Sequence, residues 1–259
     1  MLGRALLDGL FPLTCQLCQQ VVERNIALCR HCERALQRNI DACACCALPL
    51  PRGAARCEHL CIACQEASFD FDRVLAPFVY DAALARLIGR WKYARDQRLT
   101  ALLAELWLSR ATAFAVPDVL VPVPLHWRRQ LWRGFNQAEL LARYLARRHP
   151  ELRAEQVHPR LLRRRRAARA QASLGAGGRS DNASGAFTLA ESCDNLHVAL
   201  VDDVCTTGAT ADAASRLLRA GGARVVDVWC LARTPPPFAG IVTLSTLQVP
   251  ACPATPTTH

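Results

Sequence analysis

Lysine is nearly missing from this sequence. Of 32 basic side chains only Lys92 is an ammonium, the others being arginine. Alanine is also used heavily, which points to a coding bias toward arginine, so arginine enrichment alone identifies no site. The same bias singles out Lys92, because a compact ammonium on a flexible stem is what a planar guanidinium replaces poorly. Long apolar runs are absent too: no window approaches the roughly 18 to 20 apolar residues of a bilayer-spanning helix. Asp8 interrupts the first apolar run and no small-residue cleavage site follows it, so the sequence predicts no signal peptide and a cytoplasmic protein. There is no Ser-His-Asp arrangement, no nucleotide P-loop and no His-Glu-x-x-His, which removes the common hydrolase, NTPase and metalloprotease readings.

What is present is a chain of 259 residues, enough for one large domain or two smaller ones. Hydrophobic residues make up 51% and charged residues 21%, close to soluble globular averages, so wholesale disorder is excluded. The net charge of +10 favours anionic partners such as nucleic acid or phosphorylated small molecules.

Cysteine divides the chain. Ten of the fourteen lie between Cys15 and Cys64, and Cys193, Cys205, Cys230 and Cys252 are scattered through the rest. The cluster contains four Cys-x-x-Cys pairs: Cys15 and Cys18, Cys29 and Cys32, Cys43 and Cys46, Cys61 and Cys64. Two such turns complete a four-thiolate tetrahedral shell, so the eight sulfurs suffice for two zinc ions. With every ligand a cysteine, no coordination position is left for water, and the zinc is expected to be structural. Extra Cys45, Cys57, His31 and His59 allow ligand swaps, which leaves the pairing, and one ion against two, open. Few large apolar residues lie here, so folding is expected to lean on metal, worth about 10 to 16 kcal/mol per structural site.

The second motif lies near the C-terminus. An apolar strand, His197 to Val201, runs into Asp202, Asp203, Val204, Cys205, Thr206, Thr207, Gly208, Ala209 and Thr210, and then into a helix closed by Gly221 and Gly222. Another apolar run from Arg224 to Leu231 completes a βαβ unit. Carboxylates at the end of a buried strand sit where α/β sheets bind ligands, suited to ribose hydroxyls or Mg²⁺. The Thr206-Thr207-Gly208 turn offers hydroxyls and amides to a phosphate at the helix N-terminus.

This loop resembles the signature by which type I phosphoribosyltransferases bind 5-phosphoribosyl 1-pyrophosphate (PRPP), and the resemblance implies that Asp202 and Asp203 hold the ribose hydroxyls. Upstream, a Pro-interrupted strand from Asp118 to Leu125 leads into a basic loop containing His126, Arg128, Arg129 and Arg133, and a helix is expected from about Gln137 to His149. Type I enzymes carry a pyrophosphate loop at this point in the order, which implies a diphosphate contact for Arg128, Arg129 and Arg133; a surface turn is the alternative. Tyr80 to Tyr93 carries Leu84, Leu87, Ile88 and Trp91 at helical spacing and delivers Lys92 at its end as a further candidate PRPP or phosphate contact, and Leu99 to Ala115 predicts another helix.

Four cysteine knuckles, Val121-Pro-Val-Pro-Leu125, Arg133-Gly-Phe-Asn-Gln137 and the terminal loop together resemble the ComF family of competence proteins over nearly the whole chain. The resemblance implies an α/β fold: a type I phosphoribosyltransferase-like parallel sheet flanked by helices over residues 69–234, after a small cysteine-rich zinc-binding domain over 1–68 and before a Pro/Thr-rich tail over 235–259. It implies Mg²⁺ with PRPP, single-stranded DNA and other competence proteins as partners, and a role in DNA uptake. The segment from Arg160 to Phe187 resembles the family's hood over the ligand, with Ala168 where relatives often carry threonine. Arg163, Arg164, Arg165 and Arg166 in that segment read equally as DNA phosphate contacts or as a solvated basic loop. Two readings follow: a PRPP-binding protein that handles incoming DNA, or an active phosphoribosyltransferase of nucleotide metabolism with an acceptor the sequence does not name. An amidophosphoribosyl enzyme is disfavoured, since Leu2 stands where a glutaminase nucleophile would be.

Overall fold

The computed structural model describes residues 13–51, 60–94, 96–111, 114–165 and 186–235. Its helices are α1 (Arg30–Ala35), α2 (Ile62–Glu66), α3 (Ala82–Tyr93), α4 (Leu99–Leu108), α5 (Trp127–Arg133), α6 (Gln137–Arg148) and α7 (Ala209–Ala220). Its strands are β1 (Arg73–Leu75), β2 (Phe78–Val79), β3 (Val119–Pro122), β4 (Leu162–Arg164), β5 (Phe187–Leu189), β6 (His197–Val201), β7 (Val204–Cys205), β8 (Val225–Trp229) and β9 (Ala232–Arg233).

The central sheet has the order β1-β8-β6-β3, and every pairing is parallel. All five residues of β6 and all four of β3 are buried, as expected for strands covered on both faces. Alternation then assigns Ala199 and Val201 to one hydrophobic cluster and Val198 and Leu200 to the other. Leu84, Leu87, Ile88 and Trp91 from α3 and Leu141 and Leu145 from α6 belong to the first cluster, while Ala211, Ala214 and Leu218 from α7 belong to the second. A smaller parallel sheet, β2-β9-β7, adjoins the phosphate-type loop, and β4 pairs with β5 in an antiparallel hairpin.

The helix ends follow local chemistry. Asp81 caps α3 by accepting from the Leu84 amide at 2.7 Å, and Asn136 caps α6 by accepting from Ala138 at 3.0 Å. At the end of α7, Gly222 takes φ +94°, while the amides of Gly222 and Ala223 reach the Arg219 and Leu218 carbonyls at 3.0 Å each. That pair of bonds is a Schellman closure, which needs a residue tolerant of positive φ. Two expectations change. The helix predicted from Leu99 to Ala115 stops at Leu108, where the Ser109 hydroxyl bonds back to the Leu106 carbonyl. The basic loop after His126 is the helix α5, capped by His126 Nδ1 at one end and closed by Gly134 at φ +80° at the other.

The cysteine-rich segment joins both cores. Cys15, Leu17, Val22, Leu28, Cys32 and Leu36 share the first cluster with Trp91 and Trp107, and Cys43, Cys46 and Cys61 share the second with Val74 and Val121. Arg90 donates to the carbonyl and side chain of Gln16 at 2.6 and 2.7 Å, and the Val74 amide donates to the Cys45 carbonyl at 2.7 Å. Each cysteine cluster is therefore fastened to a different hydrophobic layer of the α/β body.

Candidate functional site

The eight predicted zinc ligands form two clusters: Cys15, Cys18, Cys29 and Cys32 in one, Cys43, Cys46, Cys61 and Cys64 in the other, with the sulfurs of each within 4.8 Å of one another. Consecutive knuckles are therefore partners, which settles the pairing that spacing left open. A Zn–S bond of about 2.3 Å in a tetrahedron sets sulfurs about 3.8 Å apart. Cys18 and Cys29 sulfurs lie 3.8 Å apart and those of Cys46 and Cys61 lie 3.6 Å apart, so both sets fit the ion. Burial pushes the thiols up, as at Cys32 and Cys64. Against that pull, amides of Cys18, Cys29 and Leu17 bring Cys15 down to about 7, and amides of Cys61, Cys46 and Cys45 bring Cys43 to about 7. One thiol in each set, Cys15 and Cys43, is thus drawn by backbone amides toward the thiolate form that a zinc ligand takes. Cys45 and His31 belong to neither set, and Cys57 and His59 lie outside the described residues.

The second site is assembled where β6 ends. Asp203, 5% exposed, accepts from Lys92 Nζ at 2.6 Å and from Gln137 Nε2 at 2.9 Å. Lys92 comes from the last turn of α3 and Gln137 from the first residue of α6, so two helices and a strand end converge on one carboxylate. Asp202 accepts from the Asp203 amide at 2.8 Å through Oδ1. Desolvation first, and the Asp203 charge second, push Asp202 up to about 7, opposed by Lys92 and Arg164. Asp202 itself is partly exposed in the loop.

Val204 and Cys205 form β7, while Thr206 and Thr207 are exposed at the turn. Gly208 takes φ +86° as it enters α7, and the Thr207 hydroxyl accepts from the Ala209 amide at 3.3 Å. Ala209 and Thr210 are exposed in the first turn, where the helix dipole suits an anion.

Arg133 is 5% exposed, has no ion pair among the described residues, and its Nε lacks a hydrogen-bond partner. Its guanidinium stacks on the Tyr93 ring with the carbon 5.2 Å from the centroid. Arg128 and Arg129 are exposed on α5. The Asn136 side chain donates to the Val123 carbonyl at 3.1 Å, tying the Val-Pro-Val-Pro segment to the Arg-Gly-Phe-Asn turn.

The arginine run is split by strand geometry. Arg163 and Arg164 are neighbours in β4, so they point to opposite faces. Arg164 stacks on Phe187 and feels the charges of Arg129 and Asp202; partial desolvation, then Arg129, lowers its pKa. Arg163 and Arg165 fall on the other face, and Arg166 lies outside the described residues, as does Ala168.

Sequence reasoning missed Arg233. Its guanidinium, 5% exposed, donates to the Cys46 carbonyl at 2.9 Å and the Cys205 carbonyl at 3.1 Å, and also bonds the Thr206 carbonyl. One buried cation thus links the second cysteine cluster to the loop. The sequence offered no signal for it, since its partners are backbone carbonyls from distant segments.

The class defined by this fold is an α/β protein with parallel sheets flanked by helices, preceded by two four-cysteine zinc-ribbon sites. Residues 6–67 match the double zinc ribbon domain family. The chain is similar to the DNA utilization protein YhgH of Escherichia coli strain K12, 36% identical over 182 residues that span 67% of this chain and 78% of that protein. It is 34% identical over 184 residues to competence protein F of Haemophilus influenzae, with the same coverage, and 29% identical over 163 residues to competence protein ComFC of Bacillus subtilis, spanning 61% of this chain and 62% of that one. The chain belongs to the ComF family. No helix among the described residues is long and apolar enough to cross a membrane.

Proposed function

We propose that this ComF-family protein binds Mg²⁺-PRPP at the loop Asp202 to Thr210 and acts in DNA uptake by handling incoming single-stranded DNA. The observation that carries the ligand assignment is the acid pair at the end of β6. Asp203 is paired with Lys92 and fixed by Gln137, while Asp202 remains partly exposed in the loop that leads into α7. Asp202 and Asp203 receive the ribose hydroxyls, with hard carboxylate oxygen also suited to Mg²⁺. Val204, Cys205, Thr206, Thr207, Gly208, Ala209 and Thr210 wrap the 5-phosphate, with amides and hydroxyls as donors. The DNA role is supported by relatives whose names record DNA utilization and competence and by the net charge of +10.

Turnover is a second reading, favoured by Arg133. A buried guanidinium without an ion pair among the described residues is suited to a departing diphosphate, with Arg128 and Arg129 exposed on the same helix. The test is calorimetric titration of Mg²⁺-PRPP into zinc-loaded protein, with the Asp202→Ala/Asp203→Ala double variant beside it. Saturable binding lost in the variant, with zinc content intact, supports the assignment; undiminished binding in the variant removes it. Pyrophosphate release from PRPP in the presence of nucleobase or DNA separates turnover from binding.

A further inference from the structure

Four large apolar side chains are exposed at the end of α3 and along α5. They are Tyr93 at 61%, Trp127 at 43%, Leu131 at 74% and Trp132 at 53%. The rings of Tyr93 and Trp132 are 5.8 Å apart and inclined at 54°, and the Trp127 ring lies 5.8 Å from that of His126. Exposed aromatic rings at the end of one helix and along its neighbour mark an interaction surface rather than a core.

The charge around the patch identifies its occupant. The α5 sequence Trp-Arg-Arg-Gln-Leu-Trp-Arg contains three arginines and no acid. The Arg128 guanidinium sits 5.2 Å from the Trp127 centroid, and Arg133 lies against the Tyr93 ring at the same distance. Exposed rings beside the exposed guanidinium groups of Arg128 and Arg129 match an unpaired nucleic-acid strand, in which bases stack on rings while phosphates meet arginines. A duplex keeps its bases stacked internally and offers these rings nothing. The patch also adjoins the phosphate-type loop: Lys92, next to Tyr93, bonds Asp203, and Gln137, four residues after Arg133, bonds the same carboxylate.

We propose that Tyr93, Trp127 and Trp132 form a stacking platform for unpaired bases of single-stranded DNA, with Arg128 and Arg129 on its phosphates. This rests on the proposed DNA role but assigns it to a surface other than the Arg163 to Arg166 run. A strand lying across the platform leads toward the loop that holds Asp202 and Asp203.

The test uses the zinc-loaded full chain and a labelled oligothymidylate of twenty nucleotides, followed by fluorescence anisotropy against salt. An abasic oligomer of equal length serves as the phosphate-only probe. Trp127→Leu/Trp132→Leu keeps apolar surface but removes the π-faces; Trp127→Phe/Trp132→Phe keeps them. Both rings are exposed, and unchanged zinc content and circular dichroism check that the variants fold. The expected result is a loss of affinity of about tenfold or more for oligothymidylate in the Leu variant. Affinity is retained in the Phe variant, and abasic-oligomer and Mg²⁺-PRPP binding are unchanged. Arg128→Gln/Arg129→Gln is expected to reduce the slope of log affinity against log salt by about 1.4. Equal binding of oligothymidylate by wild type and the Leu variant overturns the platform while leaving the DNA role standing. No binding of oligothymidylate by the wild type overturns the DNA role and the platform with it. Loss in the Leu variant of binding to anionic phospholipid vesicles, with oligothymidylate binding untouched, overturns the proposal in favour of a membrane surface.

Discussion

Lys92 Nζ lies 2.6 Å from Asp203 Oδ2, joining the end of α3 to the carboxyl end of β6. The pair is enclosed, with 17% and 7% of the two side chains exposed, so it is not a surface ion pair of negligible worth. Without the ammonium, two adjacent carboxylates would share a desolvated corner, with Gln137 the one remaining side-chain donor to Asp203 among the described residues.

Removing Lys92 is therefore expected to cost more than the pair itself contributes. Lys92→Met should lower stability by about 3 to 5 kcal/mol, because it strands a buried charge. Lys92→Met/Asp203→Asn should recover most of that loss, since the asparagine carries no charge to strand. Urea unfolding of the three proteins checks this; equal destabilisation in the single and double variants would contradict it.

Asp202 sets a pH dependence. Its pKa rises from 3.8 to about 7 on folding, chiefly through burial and the neighbouring Asp203 charge. Between those values the native state keeps a proton that the unfolded chain releases, so stability falls as pH rises from about 4 toward 7 and then levels off. Asp202→Asn should flatten this component. Denaturant unfolding of both zinc-loaded proteins across that range reads the difference; parallel pH curves would contradict it.

Arg233 makes loop order depend on the second cysteine cluster. Arg233→Met leaves the four thiols in place but strips donors from the Cys46, Cys205 and Thr206 carbonyls. Each buried group left unsatisfied costs about 1 to 3 kcal/mol. The expected outcome is full zinc content, a lower unfolding midpoint and Mg²⁺-PRPP affinity reduced about tenfold, equivalent to roughly 1.4 kcal/mol.

Zinc content itself should be two ions per chain, one for each cluster. Cys64→Ser should leave one ion, because the two sets share no ligand. Elemental analysis of the purified proteins decides it.

The arginine run should divide by function. Arg163→Gln/Arg165→Gln should leave the salt slope of single-strand binding near the wild-type value, since the proposed platform lies on another surface. Arg164→Gln should instead weaken Mg²⁺-PRPP, given its proximity in charge to Asp202. Affinity measurements with both ligands for both variants check the division.

What the sequence determined by itself was whatever is encoded locally. Cys-x-x-Cys turns, the apolar strand into Asp202 and Asp203, the Thr-Thr-Gly turn, the α3 stripe and the glycine closure of α7 each depend on residues a few positions apart. Local spacing carries their chemistry, and the family resemblance was legible for the same reason. Lys92 was legible as a candidate because arginine had displaced every other lysine, yet its partner was not.

Tertiary structure decided everything that joins distant segments. It paired consecutive knuckles, placed the two cysteine clusters on opposite hydrophobic layers, brought Lys92 and Gln137 to Asp203, and spanned Cys46 and Cys205 with Arg233. It also turned the basic loop into a helix that exposes Trp127 and Trp132, and strand alternation divided four adjacent arginines. Composition and spacing are properties of neighbours along the chain. Neutralising a buried carboxylate or satisfying a buried carbonyl requires groups that only packing brings within about 3 Å.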